Sequence, residues 1–472
     1  MKFLLKSISP HKYLERQTTW VLLFPPTDRL LRIIDSDVTT NAVYAIHLDT
    51  EHKGAIYYIN EECQNYIKIL VKKSDRELLI CGTHAFEPRC VYQEVDTLAS
   101  IGKEFSGKGL LPFDGKQTNI ALFADGSLYT GTMTDFRSTR PVFQRSFGKL
   151  PTLKTVDQDF RWLYDPQFIH VVEYGDYIYL FFHELSLEYK NVAKVILPRV
   201  ARVCKNDMGG KRILQKQWTS FLKARMICSV QGDMPFYFNV LRSVTDIVKI
   251  NGRDIVVAVF TTPRNSIPGS AVCAFDMQDV EAVFAGNFKT QRDYDTIWTP
   301  LHEERVPKPR PGTCAGSPPF EKYTSSTQFP DKVLVFMKMH PLMDGSVSST
   351  FTKPWFLMTM VRYQLTKIVV DNSAGPKRDQ IVTFLGTERG RVLKVWDRSE
   401  NGPLLSSSIL VEEMNVYNHD TCQYDGVDYL TIVSMELDKP SGLLYVAFPT
   451  CVISVPLGSC ALYRNCQKLF SA

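Results

Sequence analysis

The sequence has 472 residues, a formal net charge of +5 and 44% hydrophobic residues. This composition is typical of a globular protein with a large core, and the charge is too small for a dedicated nucleic-acid binder. No run of 18 apolar residues occurs, so the sequence predicts no membrane span. The short apolar run near the N-terminus is broken at Lys6, and we therefore predict no signal peptide.

The first motif along the chain is CGTHAFEPRC, in which Cys81 and Cys90 could be metal ligands, a redox pair or a disulfide. No CxxC occurs, so local zinc and thioredoxin-type patterns are missing. His84 could bind a metal with both cysteines, but the motif supplies no fourth ligand and a surface-loop histidine is the alternative. Dispersed cysteines beside strand-like segments favour disulfides in an oxidising compartment over buried free thiols. The eleven cysteines are Cys63, Cys81, Cys90, Cys204, Cys228, Cys273, Cys314, Cys422, Cys451, Cys460 and Cys466.

Pairs of apolar runs joined by short turns recur along the chain. IALFADGSLYTGTM has such a turn at Asp125-Gly126, which predicts a β-hairpin. From Gly126 to Gly175 is 49 residues, and from Gly390 to Gly442 is 52 residues. A recurrence of this length indicates propeller blades, and a large β-sandwich with irregularly spaced hairpins is the alternative. The further turns are Gly175-Asp176, Asn251-Gly252, Arg389-Gly390 and Ser441-Gly442.

Basic residues concentrate in the stretch CKNDMGGKRILQKQWTSFLKAR. This stretch is either a solvated face or a surface for an anionic polysaccharide or an acidic partner. Apart from Trp218 and Phe221 it lacks the aromatic residues that would stack on bases, so we predict no nucleic-acid partner. The basic residues are Lys205, Lys211, Arg212, Lys216, Lys223 and Arg225.

Residues 276–343 interrupt the strand pattern. MQDVEAVFAGNFK has apolar residues at helical spacing, and PDKVLVFMKMHPLM predicts a second helix that starts at Pro330. The segment VPKPRPG between them cannot pair as a central strand. We therefore predict an insertion carried by one blade. Near the end of the sequence, Cys460 and Cys466 suggest the start of a disulfide-rich module.

Enzyme signatures are missing from the sequence. No GxGxxG, GxxxxGK[ST], HExxH or GxSxG motif occurs. We predict no catalytic activity and no cofactor, with a propeller hydrolase as the alternative.

Six segments resemble one family, the semaphorins, in the order of its sema domain: CQNYIKIL, LLICGTHAFEPRC, PRVARVCKNDMGG, WTSFLKARMIC, NSIPGSAVCAFDM and VPKPRPGTC. ALFADGSLY, INGRDIVVAVF and YVAFPTCVISVPLGSC are most similar to class 6, the transmembrane semaphorins. The resemblance implies an all-β, seven-bladed β-propeller at residues 28–459. It also implies a partly helical extrusion inserted in blade five at about 276–345. A truncated start of a plexin–semaphorin–integrin (PSI) module is expected at 460–472.

The resemblance also implies disulfide pairs, so that CGTHAFEPRC is expected to be closed by a disulfide. Two departures are visible: Cys63 lacks the cysteine that the family has upstream, and Leu111 occupies a family cysteine position. No N-x-[ST] sequon occurs, although family members are usually glycoproteins. The implied pairs are Cys81 with Cys90, Cys204 with Cys314, Cys228 with Cys273, and Cys422 with Cys451.

The function implied by the resemblance is that of an extracellular or cell-surface guidance ligand. Such a ligand binds an A-type plexin through the top face of the propeller and brings receptors together as a homodimer. MKMHPLMD matches a family pattern that assigns Lys338 and His340 to the plexin surface, and the loop with Gln158 matches more weakly. NSIPGSAVC assigns Ile267 and Pro268 to the dimer contact. The alternatives are a heparan sulfate-binding module that uses the basic stretch and a non-functional semaphorin fragment.

Overall fold

Six mainly antiparallel sheets and two small two-stranded sheets are present in the described residues of a computed structural model. The structure describes residues 65–189, 193–292, 296–351, 353–360, 363–375, 377–397, 408–423 and 426–458. The first strands of successive sheets contact one another in chain order, which arranges the sheets as blades around an axis.

The first three blades take up the chain as far as residue 227. Blade one contains β1 (Ile67–Lys72), β2 (Glu77–Gly82), β3 (Arg89–Glu94) and β4 (Ser100–Ser106). Blade two contains β5 (Ile120–Ala124), β6 (Ser127–Met133), β7 (Pro141–Ser146) and β8 (Leu153–Lys154). Blade three contains β9 (Gln167–Tyr174), β10 (Tyr177–Leu185), β11 (Ile196–Cys204) and β12 (Leu222–Ile227).

Blade four follows a small hairpin of β13 (Ser229–Val230) and β14 (Phe236–Tyr237). It contains β15 (Val240–Val244), β16 (Val248–Ile250), β17 (Arg253–Thr261) and β18 (Gly269–Asp276). The chain then leaves the propeller through α1 (Met277–Ala285), β19 (Lys289–Thr290), β20 (Thr299–Pro300) and α2 (Asp331–Met339). It returns through β21 (Leu342–Ser348) and β22 (Phe356–Thr359), the latter being the outer strand of blade four.

The last two blades complete the described part of the chain. Blade five contains β23 (Leu365–Ala374), β24 (Gln380–Thr387), β25 (Arg391–Asp397) and β26 (Ser408–Asn415). After the short α3 (His419–Cys422), blade six contains β27 (Ser434–Asp438), β28 (Leu443–Ala447) and β29 (Val452–Pro456).

The prediction of seven blades is wrong, because the structure has a six-bladed arrangement. The number seven is implied by the family resemblance and not by the strand pairs of this sequence. Between Ile67 and Pro456 the described residues provide six blade sheets and two two-stranded sheets outside the blades, and the contacts between first strands run from β1 through to β27. The insertion accordingly interrupts the fourth blade in chain order and not the fifth. The predicted domain limits at 28 and 459, the module at 460–472 and Cys63 lie outside the described residues and stay predictions.

The predicted hairpins and helices are present. Ala124 pairs with Ser127, so the turn consists of Asp125 and Gly126, and both have the positive φ that a tight hairpin turn requires. Both helices of the insertion pack an apolar side against the propeller. Their buried residues recur at the helical period that is expected of half-buried helices. The buried side chains on these helices include Val280 and Phe284 of α1 and Val333 and Met337 of α2.

The insertion is joined to blade three as well as blade four. Strand β21 pairs in parallel with β12, which makes it the outermost strand of blade three. The largest core cluster is shared by blades two to four and by both helices. Within it the rings of Trp162 and Phe221 stack with centroids 4.8 Å apart. In the described part of the chain, no helix has the length and apolar character needed to cross a membrane.

Candidate partner-binding surface

The loop between β8 and β9 lies against the C-terminal end of α2. The indole Nε1 of buried Trp162 donates a hydrogen bond of 3.1 Å to the carbonyl oxygen of Lys338. Arg161 Nη1 lies 3.0 Å from the sulfur of Met339. These contacts bring the loop that contains Gln158 beside the end of α2 that carries Lys338. The predicted contact residues Gln158, Lys338 and His340 therefore lie on one surface.

This shared surface, which we call the helix–loop surface, comprises residues 157–161 and, towards the C-terminal end of α2, Val335, Lys338, Met339 and His340. Lys338 is exposed in the last turn of α2, where a cation interacts favourably with the helix dipole. Gln158 is exposed and has a left-handed backbone with φ of 55°. Asp159 holds the neighbouring guanidinium of Arg161 through a bond of 2.9 Å from Nε, so the loop is fixed from within.

His340 is half-buried and ends α2. Its ring stacks on Phe336 with centroids 4.4 Å apart, and its Nδ1 lies 3.2 Å from the Phe336 carbonyl oxygen. Burial lowers the pKa of His340, the hydrogen bond to Phe336 opposes this, and the charge of Arg161 adds to the lowering. The imidazole therefore helps to fix the C-terminal end of α2. It exposes less of its surface to solvent than Lys338 does.

The helix–loop surface also carries exposed apolar side chains. Phe160 is 56% exposed, Val335 is 49% exposed and Met339 is 45% exposed. Exposed apolar groups clustered around a few fixed charges are typical of protein–protein contact sites. Sequence reasoning missed Phe160 and Met339, although both adjoin residues that it selected.

The second predicted pair lies on blade four. Ile267 is 60% exposed in the loop between β17 and β18, and Pro268 follows it on the surface. The loop is fixed because Thr262 Oγ1 donates a 2.7 Å bond to the Ile267 carbonyl oxygen. The backbone N–H of Met360 donates to the Pro268 carbonyl oxygen at 3.1 Å, which places the strongly exposed Met360 beside the loop. Sequence reasoning missed Met360, whose only signal was an apolar residue directly after a strand.

Four disulfides lie in the described residues, and each joins a pair that the resemblance implies. Cys81 and Cys90 are directly paired positions of β2 and β3. Their sulfur atoms are bonded to each other in a disulfide, so they cannot bind a metal together with His84. Burial is the largest influence on His84 and lowers its pKa to about 4. The bonds are Cys81–Cys90, Cys204–Cys314, Cys228–Cys273 and Cys422–Cys451.

The basic stretch does not form one solvated face. Lys223 is buried, and its Nζ donates to Glu184 Oε1 at 2.6 Å. Lys205 is paired with Glu173 at 2.6 Å. Only Lys211, Arg212 and Lys216 of the six predicted cations are classed as exposed. Lys223 and Arg225 lie on β12, where Lys223 is buried and Arg225 is half-buried, and Lys205 directly follows β11. The sequence pattern did not resolve this strand.

The sheets and the insertion define a β-propeller protein with a helical insertion, and comparison with known proteins identifies its family. A family model for the Sema domain matches residues 241–425. Semaphorin-6A of Mus musculus is 54% identical over 448 residues, which cover 90% of this chain and 44% of the relative. The chain therefore spans less than half the length of this relative.

Two solved structures share the fold. Drosophila Semaphorin 1b, extracellular domains 1-2, is 33% identical with a TM-score of 0.76, covering 87% of this chain and 77% of the other. Drosophila Plexin A in complex with Semaphorin 1b also matches at 33% identity, with a TM-score of 0.75 and the same coverage of 87% and 77%. The chain belongs to the semaphorin family, and its similarity to Semaphorin-6A assigns it to class 6.

Proposed function

We propose that this chain is an extracellular guidance ligand that binds an A-type plexin through the helix–loop surface. The observation that carries the proposal is the Trp162–Lys338 hydrogen bond, which fixes an exposed cation among exposed apolar side chains. The solved complex of Drosophila Plexin A with Semaphorin 1b supports the choice of partner, because its fold matches this chain. Binding would trigger semaphorin–plexin signalling in axon guidance and cell migration.

The test is biolayer interferometry of the purified chain, exported through a supplied signal peptide, against a plexin-A ectodomain. Lys338→Asp reverses a charge at the centre of the proposed contact, and we expect it to weaken binding about tenfold or more. Lys332→Asp is the matched control, because Lys332 is also exposed on α2 but lies near its N-terminal end. We expect the control to bind nearly as the parent does.

Two results would count against this proposal. One is equal loss of binding in Lys338→Asp and Lys332→Asp, since this would indicate only long-range electrostatic attraction. The other is no binding by a monodisperse, folded parent, which would support the alternative of a non-functional fragment.

We further propose that the chain forms a homodimer through Ile267, Pro268 and Met360. An exposed apolar group on a fixed loop is suited to a two-fold symmetric contact. In such a contact the same surface patch of each copy packs against that of the other. A dimer of this kind would bring two plexins together. The carboxylate in Ile267→Glu would be buried without a partner in the contact, so we expect the variant to be monomeric by sedimentation velocity.

Ile297→Glu is the control for this experiment. Ile297 is 83% exposed but belongs to the insertion, so its substitution tests whether any added surface charge prevents association. A parent that stays monomeric at tens of micromolar concentration would contradict the dimer proposal.

Heparan sulfate binding has weaker support. It would rest on Lys211, Arg212 and Lys216, since Lys223 is buried and Lys205 is paired with acidic groups. We therefore favour plexin binding through the helix–loop surface over heparan sulfate binding through the basic stretch.

A further inference from the structure

A small cavity lies between the outer edge of blade three and the insertion. Arg199 of β11, Arg225 of β12, Lys289 of β19 and Ser346 of β21 are among the residues that line it, and its volume is about 50 Å³. A single water needs roughly 10–15 Å³ of such space, so the cavity has room for a small polyatomic ion. Neither proposed contact surface includes this cavity.

The guanidinium of Arg199 is buried at this cavity with one nitrogen unpaired. Its Nε donates to Glu184 Oε1 at 2.9 Å, and its Nη2 donates to Glu188 Oε2 at 2.6 Å. Its Nη1 is buried and has no hydrogen-bond partner in the described part of the chain. The whole side chain is 1% exposed. An unpaired buried N–H is costly, and each case in a folded protein calls for a partner.

Arg225 also lines this cavity and carries a second unpaired donor. Its Nε is buried and has no hydrogen-bond partner among the described residues. Its guanidinium lies 5.2 Å from the centroid of the Tyr237 ring, which restricts its orientation. Two guanidinium groups from adjacent strands therefore line one cavity, and each has an unused N–H.

The charges of this cluster do not cancel. Four cations and three anions give the cavity and its ion pairs a formal net charge of +1. Lys289 and Asp344 form an ion pair at 3.5 Å on the cavity wall, where Glu188 also lies. Arg199 pairs with Glu188 and Glu184, and Lys223 pairs with Glu184. The excess positive charge around the cavity favours a bound anion. The cations are Arg199, Lys223, Arg225 and Lys289, and the anions are Glu184, Glu188 and Asp344.

We propose that this cavity binds a small tetrahedral oxyanion, sulfate or phosphate, between Arg199 Nη1 and Arg225 Nε. Guanidinium groups match oxyanions in shape and form strong charge-assisted hydrogen bonds with them. The ion joins blade three to the insertion, because Arg199 and Arg225 belong to the blade and Lys289 and Ser346 to the insertion. The bound ion therefore stabilises the insertion, which contains α2. The proposal is independent of plexin binding.

The test is thermal unfolding of the full chain in sodium sulfate, at an ionic strength held constant with sodium chloride. We expect a saturable rise in Tm of about 1–3 °C by about 10 mM sulfate. Phosphate should act similarly. Arg225→Gln removes the charge and the Nε donor and should abolish the rise. Arg212→Gln, at an exposed position of the same basic stretch, should retain it.

Isothermal titration calorimetry with sulfate provides the direct measurement, with an expected stoichiometry near one. If Arg225→Gln fails to fold, Lys289→Gln replaces it and should weaken sulfate binding severalfold. A rise in Tm that grows linearly with sulfate in every variant would be general salt exclusion and would overturn the proposal. No binding heat, or an equal effect of chloride, would also overturn it, because water or any anion would then suffice.

Discussion

At the residue scale, Asp207 shows how one buried side chain joins distant segments. Its carboxylate accepts a bond of 2.8 Å from the backbone N–H of Thr219 and one of 2.7 Å from the hydroxyl of Ser220. It also accepts a bond of 3.1 Å from Ser326 Oγ in the insertion. Asp207 is 1% exposed, so water cannot replace these partners. An acceptor with two oxygens satisfies every one of these donors at once.

We predict that Asp207→Asn destabilises the fold. The amide nitrogen would face hydroxyl and N–H donors, which leaves buried donors unpaired, and we expect a loss of about 2–4 kcal/mol in unfolding free energy. Denaturant unfolding followed by tryptophan fluorescence measures this loss. Asp233→Asn, at an exposed position, is the control. A loss for Asp207→Asn no larger than that of the control would show that the network contributes little.

At the scale of elements, short-range signals predicted what the structure shows. The Asn251-Gly252 turn has positive φ at both residues, as a tight hairpin turn needs, and Ile250 pairs with Arg253 across it. Helix α1 ends at Ala285 within the segment whose apolar spacing predicted it. These features depend on residues that are close in sequence, so local conformational preference determines them.

Long-range pairings could not be predicted from residue patterns. Strand β21 pairs with β12 although Leu342 and its partner Lys223 are far apart in the sequence. The contact of Trp162 with Lys338 likewise depends on how the insertion packs, and no spacing rule indicates it. The disulfide pairs could be named before the structure only through the family resemblance, since eleven dispersed cysteines allow many connectivities.

At the scale of the whole molecule, the number of blades is the feature for which the family resemblance gave a wrong prediction. A hairpin recurrence near 50 residues indicates a propeller but does not fix the number of blades, because that number depends on how many hairpins the chain supplies. The six blades bury ionisable groups in several places, and three of these, His84, His183 and Glu188, should make the molecule sensitive to acid.

The first such group is His183, in the third blade against the fourth. Burial lowers its pKa to about 4, Arg242 adds to this, and the hydrogen bond to the Leu241 carbonyl opposes it. In the unfolded chain a histidine has a pKa near 6.5, so between about pH 6.5 and 4 the unfolded state binds more protons. Stability should therefore fall as the pH falls through this range.

Glu188 extends the acid sensitivity to lower pH. Burial alone would raise its pKa, but the charge of Arg199 and hydrogen bonds from Arg199 and Ser186 outweigh burial and lower the pKa to about 2. Its stabilising effect is present above the unfolded pKa near 4.5 and is lost as the pH falls from there to about 2.

The last prediction is a two-stage loss of stability on acidification. We expect unfolding free energy to fall by about 3 kcal/mol between pH 6.5 and 4 from His183. Glu188 should add to the fall below about pH 4.5. His183→Gln should reduce the upper stage, and the remainder should come from His84, because burial also lowers its pKa to about 4. The variant should leave the lower stage unchanged, whereas His302→Gln, at an exposed position, should change neither. Denaturant unfolding at half-unit pH intervals measures both stages. An upper stage that keeps its full slope in His183→Gln would contradict the prediction, because the variant lacks the buried imidazole that should supply a large part of that slope.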